Sequence, residues 1–463
     1  MSIREAPPPR AAPAARVPRA DLAAAGAALG LLALASVVGA ALYLSGQPVH
    51  ASSAPFTALW DPHLGPGTPL ALAVAALVVW RGPRLAAGLG WRRLLAAGYA
   101  GAIAWTLSLA LVDGWKRGLT GRLTTSDEYL SEVGGVTDVP AMLNGFTRRI
   151  LDFQPDSWTT HVSGHPPGAL LVFIGLDRAG LGGGAWAAIV CVAVGALTAV
   201  MVPVTVRALG GETAARSTVP FVALFPGAVW VGTSADGMFA GVTATAIALL
   251  AVALTRRAAA AGLGAGLLLA FSLYLSYGLT LIAMPALAVA LLARRTRPLP
   301  WHTIGAAVCS GAAVVVAFTL AGFWWPDGYH LVVVRYYQGI ASERPYAYWV
   351  WADLALVVAS AGPAAVVMLR RAVLEAAQKA LLRHPWQLAD RGPVVVLPCA
   401  ALVAILTADL SGLSKAEVER IWLPFAIWLM AGAALLPAPT RRFWLIVQAA
   451  VAVLVNHLLL TTW

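Results

Sequence analysis

Charge is what this chain has least of. Asp, Glu, Lys and Arg together make up 11% of its 463 residues, against about 25% in soluble domains. A chain so poor in charge cannot cover a water-facing surface, which excludes an ordinary soluble globular fold. Cysteine is also scarce. Cys191, Cys309 and Cys399 all fall in apolar runs, so neither a disulfide framework nor a cysteine-based zinc site is expected. The sequence has no GxxxxGK[ST] loop and no GxGxxG after a strand-like run. ATP or a nucleotide-sugar donor therefore has no recognisable phosphate cradle here.

Hydrophobic residues, by contrast, make up 59% of the chain, and they come in runs near the roughly 20 residues that cross a bilayer. The pattern predicts an all-α polytopic membrane protein of about 13 transmembrane helices. The spans are 22–45, 66–81, 94–112, 184–206, 215–232, 238–255, 259–276, 278–293, 303–323, 350–369, 393–409, 421–437 and 443–461. The net charge of +11 raises the question of nucleic acid, but the basic residues are spread as short Arg pairs between the runs. With the N-terminus inside, 22 of the 32 Lys and Arg fall in cytoplasmic segments, as the positive-inside rule requires. Residues 1–20, rich in Pro, Ala and Arg, read as a disordered cytoplasmic tail. The first apolar run is too long for a signal peptide and is expected to be retained.

This topology leaves one long polar segment, 114–183, on the outer face. Within it the apolar piece Gly168–Gly180 follows Pro166-Pro167 and reads as an interfacial helix. Shorter outer segments lie around Asp61 and His63, and at 233–237, 324–349 and 410–420. The stretch 370–392 reads as an amphipathic helix on the inner leaflet. The organisation expected is two N-terminal spans (21–93), a core with the outer loop (94–350) and C-terminal helices (351–463).

Several residues in the outer segments could carry chemistry. Asp127 and Glu128 precede Tyr129-Leu130, an apolar step into the interface where a carboxylate could take a proton from an attacking hydroxyl; an acidic pair that only caps a helix is the alternative. His161 and His165 have the four-residue spacing of a metal pair. Gly164, Pro166 and Pro167 disfavour a helix across them, so a hydrogen-bonding role for His165 is expected instead. Asp236 lies in a turn between two spans, where an ionised group is costly, although a turn aspartate before Gly237 needs no function. Arg335 and Arg344, with Lys415 and Arg420, are cations on an otherwise cation-poor side. They suit phosphate, while Arg420 could equally snorkel to headgroups.

The order of these features resembles the GT-C superfamily of integral membrane glycosyltransferases, in the branch of protein O-mannosyltransferases and the lipid A aminoarabinose transferase. A span leads into an outer loop with Asp127-Glu128, followed by His165-Pro166-Pro167 and an Arg-bearing turn at Val206-Arg207-Ala208-Leu209. An outer Asp follows in Ser234-Ala235-Asp236-Gly237, then Ser276-Tyr277-Gly278, where the family often has Lys-Gly. The resemblance covers about 94–350, and two spans precede the family's usual first one. It implies transfer of a sugar from a polyprenyl-phosphate donor to a hydroxyl of a glycan, lipid or protein on the outer face of the plasma membrane. Asp127 or Glu128 would be the base and Asp236 a second acid. Independently of the resemblance, the placement of His165, Tyr129, Arg335, Arg344, Lys415 and Arg420 in the outer segments makes them the expected substrate contacts, with Arg344, Lys415 and Arg420 on the phosphate. No cofactor is implied, and a divalent metal stays open. A flippase for a polyprenyl-linked precursor and a non-catalytic envelope scaffold are the alternatives; no nucleic-acid partner is expected.

Overall fold

The computed structural model describes residues 16–232, 234–296, 298–381 and 392–462. Most of the expected N-terminal tail and the end of the 370–392 segment lie outside them. The first helices are α1 (Arg19–Leu44), α2 (Gly67–Gly88) and α3 (Trp91–Ala110). The polar loop then folds into the short helices α4 (Leu130–Val133), α5 (Val139–Gly145), α6 (Thr160–Ser163) and α7 (Gly168–Arg178). A long run made of α8 (Gly184–Ala196) and α9 (Thr198–Gly210) follows, then α10 (Glu212–Ala223), α11 (Ala228–Val231) and α12 (Ala235–Arg256). Next come α13 (Ala259–Leu275), α14 (Ala283–Thr296), α15 (Trp301–Leu320) and α16 (Trp325–Gln338). The chain closes with α17 (Tyr346–Ala361), α18 (Pro363–Leu381), α19 (Gly392–Ser411), α20 (Val418–Ile421), α21 (Leu423–Ala426) and α22 (Arg441–Leu458).

The protein is a multi-pass, all-α membrane fold. Among the described residues, nine helices are long and apolar enough to cross a bilayer, or ten if one bent pair counts as a span. This is fewer than the 13 spans expected from hydropathy. The run 259–276 forms a helix of only 17 residues, Ala259–Leu275, and three other runs are broken. The run 350–369 is not straight: α17 and α18 meet at 108°, hinged on Gly362 at φ +86°, a backbone state glycine adopts freely, with Pro363 starting the new helix. The run 215–232 is interrupted between α10 and α11 at Leu224 to Gly227, where Pro226 cannot donate a helical hydrogen bond. The run 421–437 passes from α21 into a 3-10 helix, Ile427–Leu435. Apolar length alone cannot report such breaks.

The interior is built by α12, which packs on α8, α9 and α13 and is largely buried. Small residues allow close approach, as membrane helix packing requires. A side chain on Gly168 would stand 2.8 Å from the Tyr274 carbonyl carbon, so α7 can lie on α13 only with glycine there.

The polar segments between helices gather on one face. A two-stranded antiparallel ladder pairs β1 (Ala58–Trp60) with β2 (Leu459–Thr461). Asp113 accepts from His63 Nε2 and from Arg122 Nη2, each at 2.8 Å, and Arg122 Nη1 also donates to the Thr461 carbonyl. His50 pairs with Glu343 at 2.7 Å, and Arg335 pairs with Asp152. These contacts, with those below, join all five polar segments into one surface layer above the helices.

Candidate active site

Glu128 lies two residues before α4, its backbone N–H donating to the Thr125 carbonyl. That turn points Asp127 outward and Glu128 inward: Asp127 is exposed, while Glu128 is 3% exposed. The side chain of Asp127 meets only a distant Thr160 hydroxyl at 3.4 Å. Its backbone carbonyl does more, accepting both the backbone N–H of His161 at 3.0 Å and the His161 Nδ1–H at 2.9 Å. This double contact fixes α6 against the acidic step.

Around His161 a buried polar chain forms. Arg420 Nη2 is 3.1 Å from His161 Nε2. A guanidinium only donates, so Nε2 accepts and Nδ1 carries the ring proton. That proton faces the Asp127 carbonyl and, at 3.5 Å, Glu128 Oε1. Arg420 Nη1 donates to Asp236 Oδ2 at 2.8 Å, and Arg420 Nη2 also donates to Glu417 Oε2 at 2.7 Å. Glu417 Oε1 in turn lies 3.4 Å from Arg344 Nη2. Glu128, His161, Arg420, Asp236, Glu417 and Arg344 thus form one chain contributed by the loop start, α6, α20, the first turn of α12 and the segments before α17 and α20.

Burial sets the protonation states. Loss of solvent raises Glu128 to about 7, with the Arg420 charge opposing the rise and Asp236 adding to it. His161 is lowered to about 3 by burial and by the neighbouring Arg420 cation, so it is neutral at physiological pH. His165 is lowered for the same first reason; its Nδ1 donates to the His161 carbonyl at 2.8 Å. Burial would strip the proton from Arg420, but Asp236, Glu417 and Glu128 reverse this and raise its pKa. Glu128 Oε2 and the Tyr129 hydroxyl are buried with no hydrogen-bond partner among the described residues. Unpaired buried polar atoms are expensive, and these two belong to adjacent residues, one of them a carboxyl raised to about 7.

Tyr129 packs against both this chain and a residue that lines a cavity. Its ring lies 6.2 Å from that of His161, 5.7 Å from that of His165 and 5.4 Å from that of Phe173. Phe173 lines a cavity of about 240 Å³ together with Thr124, Leu130, Ser131, Asp177 and Gly182.

Of the residues singled out from sequence, Glu128, Asp236 and Arg420 come together with Tyr129 and His165 beside them. Arg344 and Lys415 sit one link further out: Arg344 Nη1 donates to the Lys415 carbonyl at 2.7 Å, and Lys415 Nζ to the Arg344 carbonyl at 3.0 Å. Asp127 and Arg335 are not in the chain. Arg335 is spent on Asp152 and on Ser163 Oγ at 3.2 Å, holding α16 to the loop. Two residues were not singled out for these roles. His161 could have been suspected from its spacing to His165, though as a metal ligand; Glu417 gave no signal beyond a charge in a loop. Among the described residues no three His, Cys, Asp or Glu side chains are grouped to share a metal.

No protein-family model matches the sequence, and no curated protein does. Solved structures with a similar arrangement of helices include ArnT from Cupriavidus metallidurans in the apo state, at 16% identity and a TM-score of 0.44, covering 73% of this chain and 60% of that one. The oligosaccharyltransferase from Archaeoglobus fulgidus in the apo form matches at 14% identity and 0.41, over 74% of this chain and 50% of that one. The archaeal AglB from the same organism, solved with an inhibitory peptide and a dolichol-phosphate, matches at 12% identity and 0.36. The chain thus spans 50–60% of the length of the proteins it is similar to.

Proposed function

We propose that this protein is a glycosyltransferase of the membrane, moving a sugar from a polyprenyl-phosphate donor to an acceptor hydroxyl on the outer face, with Glu128 as general base. The observation that carries the reading is the buried chain from Glu128 through His161 to Arg420 and Asp236. It sets a carboxylate that ionises near neutrality, one oxygen unengaged, beside fixed guanidinium groups. A base works best when its pKa lies near the working pH, and a phosphate leaving group needs cations where its charge develops.

In this reading the acceptor hydroxyl gives its proton to Glu128 Oε2 while its oxygen bonds to the anomeric carbon. The bond from that carbon to the phosphate oxygen breaks, and the electron pair leaves with the polyprenyl phosphate toward Arg420, Arg344 and Lys415. Single in-line displacement inverts the anomeric centre. Neutral His161 moves no proton; through its two nitrogens it sets the spacing of Glu128 and Arg420. Asp236 holds the other arm of Arg420. The cavity lined by Phe173, with its Ser, Thr and Asp lining, is where the acceptor would approach.

The test is glycoconjugate formation in membranes carrying Glu128→Gln or Asp236→Asn. Glu128→Gln should lower transfer by about 10²–10⁴-fold while the protein still inserts and accumulates. Full activity in both variants would leave the flippase or scaffold reading ahead.

A further inference from the structure

We propose that the Glu417 carboxylate is a built-in occupant of an anion site between Arg344 and Arg420, displaced when a phosphate ester binds. The inference rests on the reading above, which places those two arginines on the leaving phosphate.

Three observations lead to it. The first is the bridge. One Glu417 oxygen lies 2.7 Å from Arg420 Nη2 and the other 3.4 Å from Arg344 Nη2, so a single carboxylate spans two guanidiniums as paired phosphate oxygens can. Neither arginine depends on Glu417 for its place. Arg420 is held by Asp236 and His161, and Arg344 donates to the carbonyls of Lys415 and His50 at 2.7 and 3.2 Å. The exchangeable member of the bridge is therefore the glutamate.

The second is backbone strain. Ala416 and Glu417 are consecutive non-glycine residues at φ +71° and +63°, a left-handed state that L side chains disfavour. The Ala416 N–H is pinned there by Asp353 Oδ1 at 3.1 Å. A turn held in this state gives back free energy when it opens, which offsets part of the lost ion pairs.

The third is access. The Glu417 side chain is 16% exposed, against 6% for each of Arg344 and Arg420, and Glu419 nearby is 1% exposed. Glu417 is the carboxylate of this group with a route outward, and the space it vacates is already lined with donors.

The probe is farnesyl phosphate, titrated calorimetrically into the full chain in detergent or nanodiscs. Glu417→Gln removes the competing charge and should bind at least tenfold more tightly than wild type, while Arg344→Gln should bind at least tenfold more weakly. Ala416→Gly touches no charge. It relaxes the closed turn and should weaken binding about fivefold, so the two turn variants move in opposite directions. Wild type and Glu417→Gln binding equally, or the variant binding more weakly, would overturn the displacement and leave the catalytic reading standing. No binding by either would remove both. Should Glu417→Gln fail to fold, Ala416→Gly decides: unchanged or tighter binding refutes the proposal.

Discussion

If Glu128 is held for chemistry and not for stability, removing its charge should strengthen the fold, and only at high pH. The folded-state pKa is about 7 against 4.5 for the free side chain. A carboxyl raised in this way contributes stability that is fully present below pH 4.5 and is lost as pH climbs through 7. The difference corresponds to about 3 kcal/mol, a large share of the few kcal/mol that typically separate folded from unfolded chains. Glutamine is nearly isosteric and never ionises. Glu128→Gln should therefore gain on wild type by up to about 3 kcal/mol at pH 8.5 relative to its standing at pH 5. Thermal melting in nanodiscs, followed by tryptophan emission at both pH values, reads this directly; the chain has 18 tryptophans. A variant that melts below wild type by the same margin at both pH values would show Glu128 to be an ordinary ion-pair partner of the cations around it. The argument from burial would then be wrong.

Three further outcomes follow from the same geometry. Asp127→Asn should keep transfer within about twofold, because its exposed carboxylate has only the 3.4 Å Thr160 contact and exposed substitutions cost little; a complete loss would move the base to Asp127. The rate of transfer should rise with pH through about 7 as Glu128 gives up its proton, and a profile flat between pH 5.5 and 8.5 would contradict that. Arg122→Gln breaks a buried pair with Asp113 and the bond to Thr461. It should cost about 3–5 kcal/mol, seen as a lowered melting temperature, and an unchanged melt would mean the surface layer is not held there.

The parts of this fold that follow from hydropathy were legible in advance. Apolar runs locate the long helices, and Pro166-Pro167 followed by an apolar stretch locates α7. The hinge at Gly362-Pro363 was also written in the sequence, since glycine with proline is the usual punctuation of a helix, but apolar residues on both sides masked it. The site was readable only up to a point. That an acid in the first loop and Asp236 face the same region followed from their order along a resembling chain. Which member of Asp127-Glu128 turns inward did not, because the answer depends on α6 donating two hydrogen bonds to one carbonyl. Glu417 was opaque for another reason: it is separated from Arg344 by 73 residues, and no local pattern announces a contact between loops.

The first helix is fastened by side-chain contacts at two points. Asp21, fully buried, takes Arg371 at 2.7 Å and Arg370 at 3.4 Å near one end, and further along the Tyr348 hydroxyl donates to the Ala35 carbonyl at 2.9 Å. Elsewhere α1 leans on α17 and α18 and leaves a furrow of about 540 Å³ against α22, walled by Leu29, Leu32, Phe56, Leu454 and Leu458. Such a furrow cannot stay empty in a bilayer, and hydrocarbon tails will complete its walls. The lipid is thus a packing partner of this helix, and stripping it with a short-chain detergent should loosen α1 well before the chain around Arg420 gives way.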